Sequence, residues 1–394
     1  MVEKKGCRDG VPSAGNGFHQ VTQSPKSSLT VRLEEQMTGI QSDSKYEGGH
    51  ECFASTMKDL CSGKEWRKIS TVWRLLVLVV IGAVSLYMCM VGVGTRQFPF
   101  ESVEGAVVKD WRREDESCAP RGPSVDYYQH YPLPHSYGRQ ECQCTPVHFF
   151  VILSMQRSGS GWFETLLNNH PNISSHGEIF SVKPRRANFS TIARTMDKIY
   201  NLDWLNSAAK NECTAAVGFK WMLNQGPMEY SREVSDYFEK MGVSVILLLR
   251  RNVLKRLISI LANAYDRKAK PLNGIHKSHV HSVEEAMKLA EYRPVIDVNH
   301  LTDNLHRVEQ ITDDAQRFFN NTRLRVVYYE DLVMDPKHLM QVQEFLGVQP
   351  RKLESLQVKI HTRPLREQIQ NWDAVLARLK ATQYETLLND GDST

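Results

Sequence analysis

Four apolar runs punctuate the chain from His148 onward: HFFVILSM (His148–Met155), AAVGFKWML (Ala215–Leu223), VSVILLLR (Val243–Arg250) and LRVVYYEDL (Leu324–Leu332). Helical patterns follow them: WFETLLNNH after the first, NVLKRLISILANAY after the third, and a patterned stretch ending in EFLGV after the last. Apolar runs of this length with little polar alternation are strands buried on both faces. When amphipathic helices separate them, they form a parallel sheet. The pattern therefore predicts an α/β domain in three layers, α/β/α around a central parallel sheet, over 146–394. No repeat of solenoid length interrupts it.

Upstream the pattern changes twice. Leu75–Gly94 (LLVLVVIGAVSLYMCMVGVG) carries no charge over 20 residues, about what a helix needs to cross the hydrocarbon core. Lys58, Lys64, Arg67, Lys68 and Arg74 precede it, whereas Arg96 alone follows closely before Glu101 and Glu104. The positive flank stays cytosolic, which predicts a single-pass type II signal-anchor. Residues 1–74 are rich in Gly, Ser, Gln and charge and read as a disordered cytosolic tail. Residues 95–145, with their PRGPSVDYYQHYPLPHSYG segment, read as a luminal stem.

Composition adds little beyond this. The 394 residues are 41% hydrophobic and 24% charged, as in an ordinary globular protein, and the formal net charge of +4 is too mild for a nucleic-acid binder. Topology divides the eight cysteines by compartment. Only Cys118, Cys142, Cys144 and Cys213 fall on the oxidising side, and any of three pairings is open to them. The C-x-C at Cys142 and Cys144 lacks the second ligand pair of a zinc site.

The segment Met155-Gln156-Arg157-Ser158-Gly159-Ser160-Gly161-Trp162 lies between a predicted strand and a predicted helix. Small residues let a turn bring backbone N–H groups to an anion at the helix N-terminus; Ser158 and Ser160 add hydroxyls and Arg157 a permanent charge. A nucleotide triphosphatase would carry G-x-x-x-x-G-K-[ST], and no Lys-Ser/Thr pair follows Gly159 or Gly161. The strand VSVILLLR ends in arginines instead of the aspartate that helps hold Mg²⁺. A second element, Arg251-Asn252-Val253-Leu254-Lys255-Arg256-Leu257-Ile258-Ser259, leaves another buried strand for a helix and spaces Arg251 and Ser259 by eight.

Together these elements resemble those of the membrane-bound carbohydrate sulfotransferases and the bacterial nodulation sulfotransferases. The resemblance extends through His170-Pro171-Asn172, His176-Gly177-Glu178-Ile179-Phe180, Tyr329-Glu330-Asp331-Leu332 and Phe345-Leu346-Gly347-Val348 to Thr362-Arg363-Pro364-Leu365 and Gln368 to Trp372. It implies a P-loop-like domain that takes PAPS (3'-phosphoadenosine 5'-phosphosulfate) as sulfuryl donor, in the Golgi lumen, with no metal required. By position, Arg157, Ser158, Gly159, Ser160, Gly161 and Trp162 would hold the 5'-phosphosulfate and Arg251 with Ser259 the 3'-phosphate. Arg363 and Arg366 would close over the cofactor. Glu178 would be the base that takes the acceptor proton, with His176 as the alternative. Arg157 would stabilise charge on the leaving phosphate. Lys220 is read as following a strand and reaching the active centre, or else as a solvated tip. Arg250 and Arg256 are expected on a helix surface or in salt bridges.

Three luminal sequons stand at Asn172, Asn188 and Asn320, the first closest to the core and the least accessible. The competing classes are a catalytically degenerate membrane-anchored scaffold on the same fold and a P-loop kinase or NTPase. The acceptor, a carbohydrate or other hydroxyl, would be selected by the loops at 181–211 and 268–300.

Overall fold

The computed structural model describes residues 127–389. Five strands form one parallel sheet: β1 His148–Ser154, β2 Ile173–Ser175, β3 Ala216–Met222, β4 Ser244–Leu249 and β5 Arg323–Tyr328, ordered β2-β3-β1-β4-β5. The helices are α1 Ser160–Asn169, α2 Phe189–Tyr200, α3 Ser231–Lys240, α4 Val253–Ala269, α5 Val283–Ala290, α6 Leu301–Phe318, α7 Tyr329–Met334, α8 Pro336–Phe345, α9 Leu365–Gln368 and α10 Trp372–Leu379.

The two faces of the sheet can be read directly from β1. Phe149, Val151 and Leu153 join a core with Ile192 and Met196 of α2, Val234 and Phe238 of α3 and Val308 of α6. Phe150 and Ile152 join the opposite core with Phe163 and Leu167 of α1 and Leu339 and Val342 of α8. Successive side chains alternate faces, so a strand apolar at every position needs helices on both sides. The three-layer architecture follows. Gly218 in β3 is a packing requirement, since a Cβ there would lie 2.3 Å from the Phe150 carbonyl oxygen.

The chain leaves β1 for β2, returns to fill β3, and then crosses β1 to build β4 and β5. The connections reverse beside β1, and the crevice at the carboxyl ends of β1 and β4 is where such a sheet binds ligands.

The amino-terminal boundary differs from expectation. Residues 127–145, assigned to the stem, pack on the domain: His130 pairs with Val147 and stacks on Phe149 at 3.9 Å. Arg139, 3% exposed, donates to the carbonyls of Thr145 and Thr214. Cys144 is disulfide-bonded, while Cys142 and Cys213 are free thiols and so are not its partner. The apolar 75–94 segment and the tail lie outside the described residues. Among the described residues, no helix is long and apolar enough to cross a membrane.

Candidate functional site

The loop between β1 and α1 is built by two left-handed residues, Arg157 (φ 63°) and Gly159 (φ 85°). A side chain at Gly159 would also strike the Tyr329 ring, at 2.3 Å. The turn delivers the first amides of α1, which lack intrahelical partners, to the crevice. Ser158 and Ser160 are buried beside them, and Trp162 packs edge-on against Tyr329.

Three arginines surround this loop. Arg157 donates from Nε to Ser259 Oγ (2.9 Å) and from Nη1 to the Ser278 carbonyl (3.0 Å). The structure thus joins the two predicted donor-site elements through Arg157 and Ser259 themselves. Arg250 donates to the Arg157 carbonyl at 3.2 Å and lies over the Tyr329 ring. Arg256 is not on a helix surface: it is 1% exposed and donates from Nε to the Gln156 carbonyl at 2.8 Å, beneath the loop. Helix α4 turns this residue inward because positions 254, 257 and 258 already face the core. Burial, and then the neighbouring Arg250, push Arg157 down to about 10 and Arg256 down to about 9. Both remain cationic at neutral pH, so the loop rests on crowded positive charge that a bound polyanion relieves.

Arg251 points elsewhere. Its guanidinium forms a two-point pair with Asp331 and lies 3.9 Å over Tyr328, half exposed. The Glu330 carboxylate accepts from the amides of Arg251 (3.0 Å) and Asn252 (3.2 Å), so a protein carboxylate already occupies the start of α4. Ser259, Arg157, Asp266, Lys277, Ser278 and His361 enclose a space of about 20 Å³, room for one water. The remaining predicted cofactor residues stand apart from this cluster. Arg363 is exposed, with its carbonyl taken by Gln368, and exposed Arg366 lines a separate open cleft of about 520 Å³ with Arg293 and Trp372.

Across the crevice, Lys220 lies within β3, not after it, and is no solvated tip: its side chain is 12% exposed. Its Nζ stands 3.3 Å from Glu164 Oε2 and 3.8 Å from Glu178 Oε2. Gln225 donates its amide to the other oxygen of Glu178. Glu164 Oε1 accepts from Ser175 Oγ (2.7 Å) and from the Gly177 amide (2.9 Å), fixing the turn that carries Glu178. His176 is not in this group. It is buried and its Nδ1 faces Asn206 Oδ1 at 2.9 Å, away from the Lys220–Glu178 pair.

Sequence reasoning missed Glu164, Gln225, His279 and His361. Of these, only Glu164, within WFETLLNNH, offered a signal: an acidic residue between the apolar positions of a buried helix. Burial, with Arg157 and Arg250 beside it, holds His361 down to about 3; burial, then Arg157 and Lys220, hold His279 down to about 4. An imidazole whose folded pKa is depressed binds fewer protons folded than unfolded, so stability rises with pH between the folded value and 6.5. The melting temperature is therefore expected to fall from pH 7 to pH 5, above the range of Asp203, Asp297 and Asp331, whose carboxyls lie below the ordinary aspartate value. In His361→Asn the fall should be shallower; an identical profile would remove His361 as its source.

The sequon residues differ in availability. Asn172 gives its amide nitrogen to the Cys213 carbonyl (2.8 Å), whereas Asn188 caps α2 through its oxygen and Asn320 is exposed.

Residues 150–351 match the model of the sulfotransferase family. Nodulation protein H of Rhizobium meliloti is 26% identical over 239 residues, covering 58% of this chain and 89% of that protein. Nodulation protein H of Rhizobium tropici is 30% identical over 206 residues, covering 50% and 75%. Among solved structures, the sulfotransferase domain of the Synechococcus PCC 7002 olefin synthase is 17% identical, covering 52% of this chain and 74% of that one, at a TM-score of 0.29. The family match spans the phosphate loop, Glu178, Lys220 and the start of α4, and with it the chain belongs to the sulfotransferase family.

Proposed function

We propose that this sulfotransferase moves the sulfuryl group of PAPS onto a hydroxyl of a carbohydrate acceptor in the lumen of the Golgi, held to the membrane by residues 75–94. The observation that carries the donor side is the crowding of Arg157, Arg250 and Arg256 around an anion-binding turn, with burial depressing two of them. A donor bearing a 3'-phosphate and a 5'-phosphosulfate supplies the countercharge these guanidiniums lack.

On the acceptor side the support is Glu178, oriented by Gln225 and beside Lys220. In the step we propose, the acceptor oxygen bonds to sulfur as the bond from sulfur to the phosphate oxygen breaks, and the hydroxyl proton passes to Glu178. Lys220, 3.8 Å from the base, offsets negative charge on the transferring group. The loop amides, Ser158 and Ser160 orient the phosphosulfate, and Arg157 offsets charge on the phosphate that leaves as PAP (3',5'-bisphosphate). The 3'-phosphate takes Arg251 from Asp331; the exchange costs little, because a half-exposed pair contributes only about 0–1 kcal/mol.

A luminal site is supported by the disulfide at Cys144, a bond that persists in oxidising compartments, and by the charge asymmetry around the apolar segment. The carbohydrate acceptor rests on the resemblance to carbohydrate-modifying members.

The test is thermal stability of the detergent-solubilised full chain with PAP, with Mg·ATP and with neither, beside Arg251→Ala. PAP at about 100 times its dissociation constant stabilises by roughly 2.7 kcal/mol, and Arg251→Ala abolishes that shift at the same concentration. Stabilisation by Mg·ATP alone sinks the donor assignment.

A further inference from the structure

The segment after α4 folds back across the phosphate loop and is pinned on both sides of one histidine. Before it, the Ser278 carbonyl accepts from Arg157, and the Ser278 hydroxyl bonds to Asn263 Oδ1 of α4 (3.1 Å) and to His276 Nε2 (3.1 Å). His276 in turn pairs with the buried Asp266. After it, Val280 is wholly buried and its carbonyl accepts from the Val358 amide at 2.9 Å, while His281 faces the Leu356 carbonyl at 3.2 Å. Among the described residues, His279 itself forms no hydrogen bond, so both ring nitrogens are available.

His279 is an exposed residue placed over the phosphate loop by these two anchors. It lies on Gly161 in the first turn of α1, where a Cβ would come within 2.5 Å of its Nε2 and 2.6 Å of its Cε1. It also stands within electrostatic range of Arg157 and of Lys220. Glycine at 161 is thereby explained as space for an imidazole, a need separate from backbone approach to a phosphate.

We propose that His279 is a catalytic residue that donates an N–H to an oxygen of the sulfuryl group carried on the α1 amides. The placement between the loop and Lys220 puts the ring where the sulfuryl group is transferred, and the two anchors spare it the entropy of ordering at that moment. A neutral imidazole suits this role: desolvation, and then Arg157 and Lys220, keep it uncharged at neutral pH, so it adds a directed donor without adding to the positive charge. The proposal rests on the donor site assigned above.

PAPS and PAP differ by the sulfuryl group alone, so their affinities isolate this contact without an acceptor. The full chain in detergent is titrated with each ligand, as wild type, His279→Ala, His279→Asn and Gly161→Ala. The expected result is a loss of about tenfold in PAPS affinity in His279→Ala with PAP affinity unchanged. His279→Asn, which keeps an N–H donor, recovers part of it, and Gly161→Ala, which evicts the ring, shows the same selective loss. Equal weakening of PAPS and PAP, or unchanged PAPS binding in His279→Ala, overturns the proposal. A wild-type chain that binds neither ligand removes the donor site as well, so the two failures are distinct.

Discussion

Glu178→Gln is expected to lower kcat for sulfuryl transfer by about 10²–10⁴-fold, the usual worth of a general base, with PAP binding unchanged. The substitution is nearly isosteric. Its carbonyl oxygen still accepts from Gln225 and its neighbour Lys220 keeps Glu164, so the turn at 177–181 stays in place. What the variant loses is the one oxygen able to take the acceptor proton. The measurement is PAP released from PAPS in the presence of an oligosaccharide acceptor, with a PAP melting curve on the same preparation. Activity within about threefold of wild type would move the base elsewhere. Of the titratable groups near the loop, the neutral His279 would then be the one to substitute next, since His176 is turned to Asn206.

The sequence was legible wherever a residue's role follows from its own neighbours in the chain. β1 and β4 are apolar through their middles and buried along their whole length, so they could only be central, and the small-residue turn between Arg157 and Trp162 could only be a strand-to-helix connection. Strand order was not legible, because nothing in HFFVILSM or VSVILLLR says that β3 slots between β1 and β2. Residue roles failed for the same reason. Arg256 was assigned to a surface by the habit of arginines, and its actual place depends on the Gln156 carbonyl 100 residues away.

Lys220 shows the same limit in a milder form. The sequence left it open between the centre and a solvated tip, because the pair that holds it comes from Glu164 on α1 and periodicity cannot reveal which polar positions on two elements face each other. In the C-terminal segment His361 approaches Arg157 and Arg250, whereas Arg363 and Arg366 are exposed. The segment was recognisable by resemblance, but which of its side chains turns inward depends on the register fixed by Val280 and Val358.

Replacing Glu164 should separate folding from chemistry. Glu164→Ala strips the Lys220 ammonium, the Ser175 hydroxyl and the Gly177 amide of a shared acceptor in a region where the lysine and glutamate side chains are 12% and 9% exposed. Breaking a buried pair from one side costs about 3–5 kcal/mol. Because Glu178 still faces Lys220 at 3.8 Å, the lower end applies, a fall in melting temperature of roughly 6–12 °C for a domain of this size. Glu164→Gln keeps an oxygen for Ser175 and Gly177 and loses only the charge, so it should melt within a few degrees of wild type. Its kcat should fall nonetheless, because Lys220, released from Glu164 and 3.8 Å from Glu178, is drawn onto Glu178 and away from the transferring group. A Glu164→Gln enzyme with wild-type kcat would reduce Glu164 to a structural residue, and one as unstable as Glu164→Ala would show that the ion pair, not the two hydrogen bonds, holds the turn.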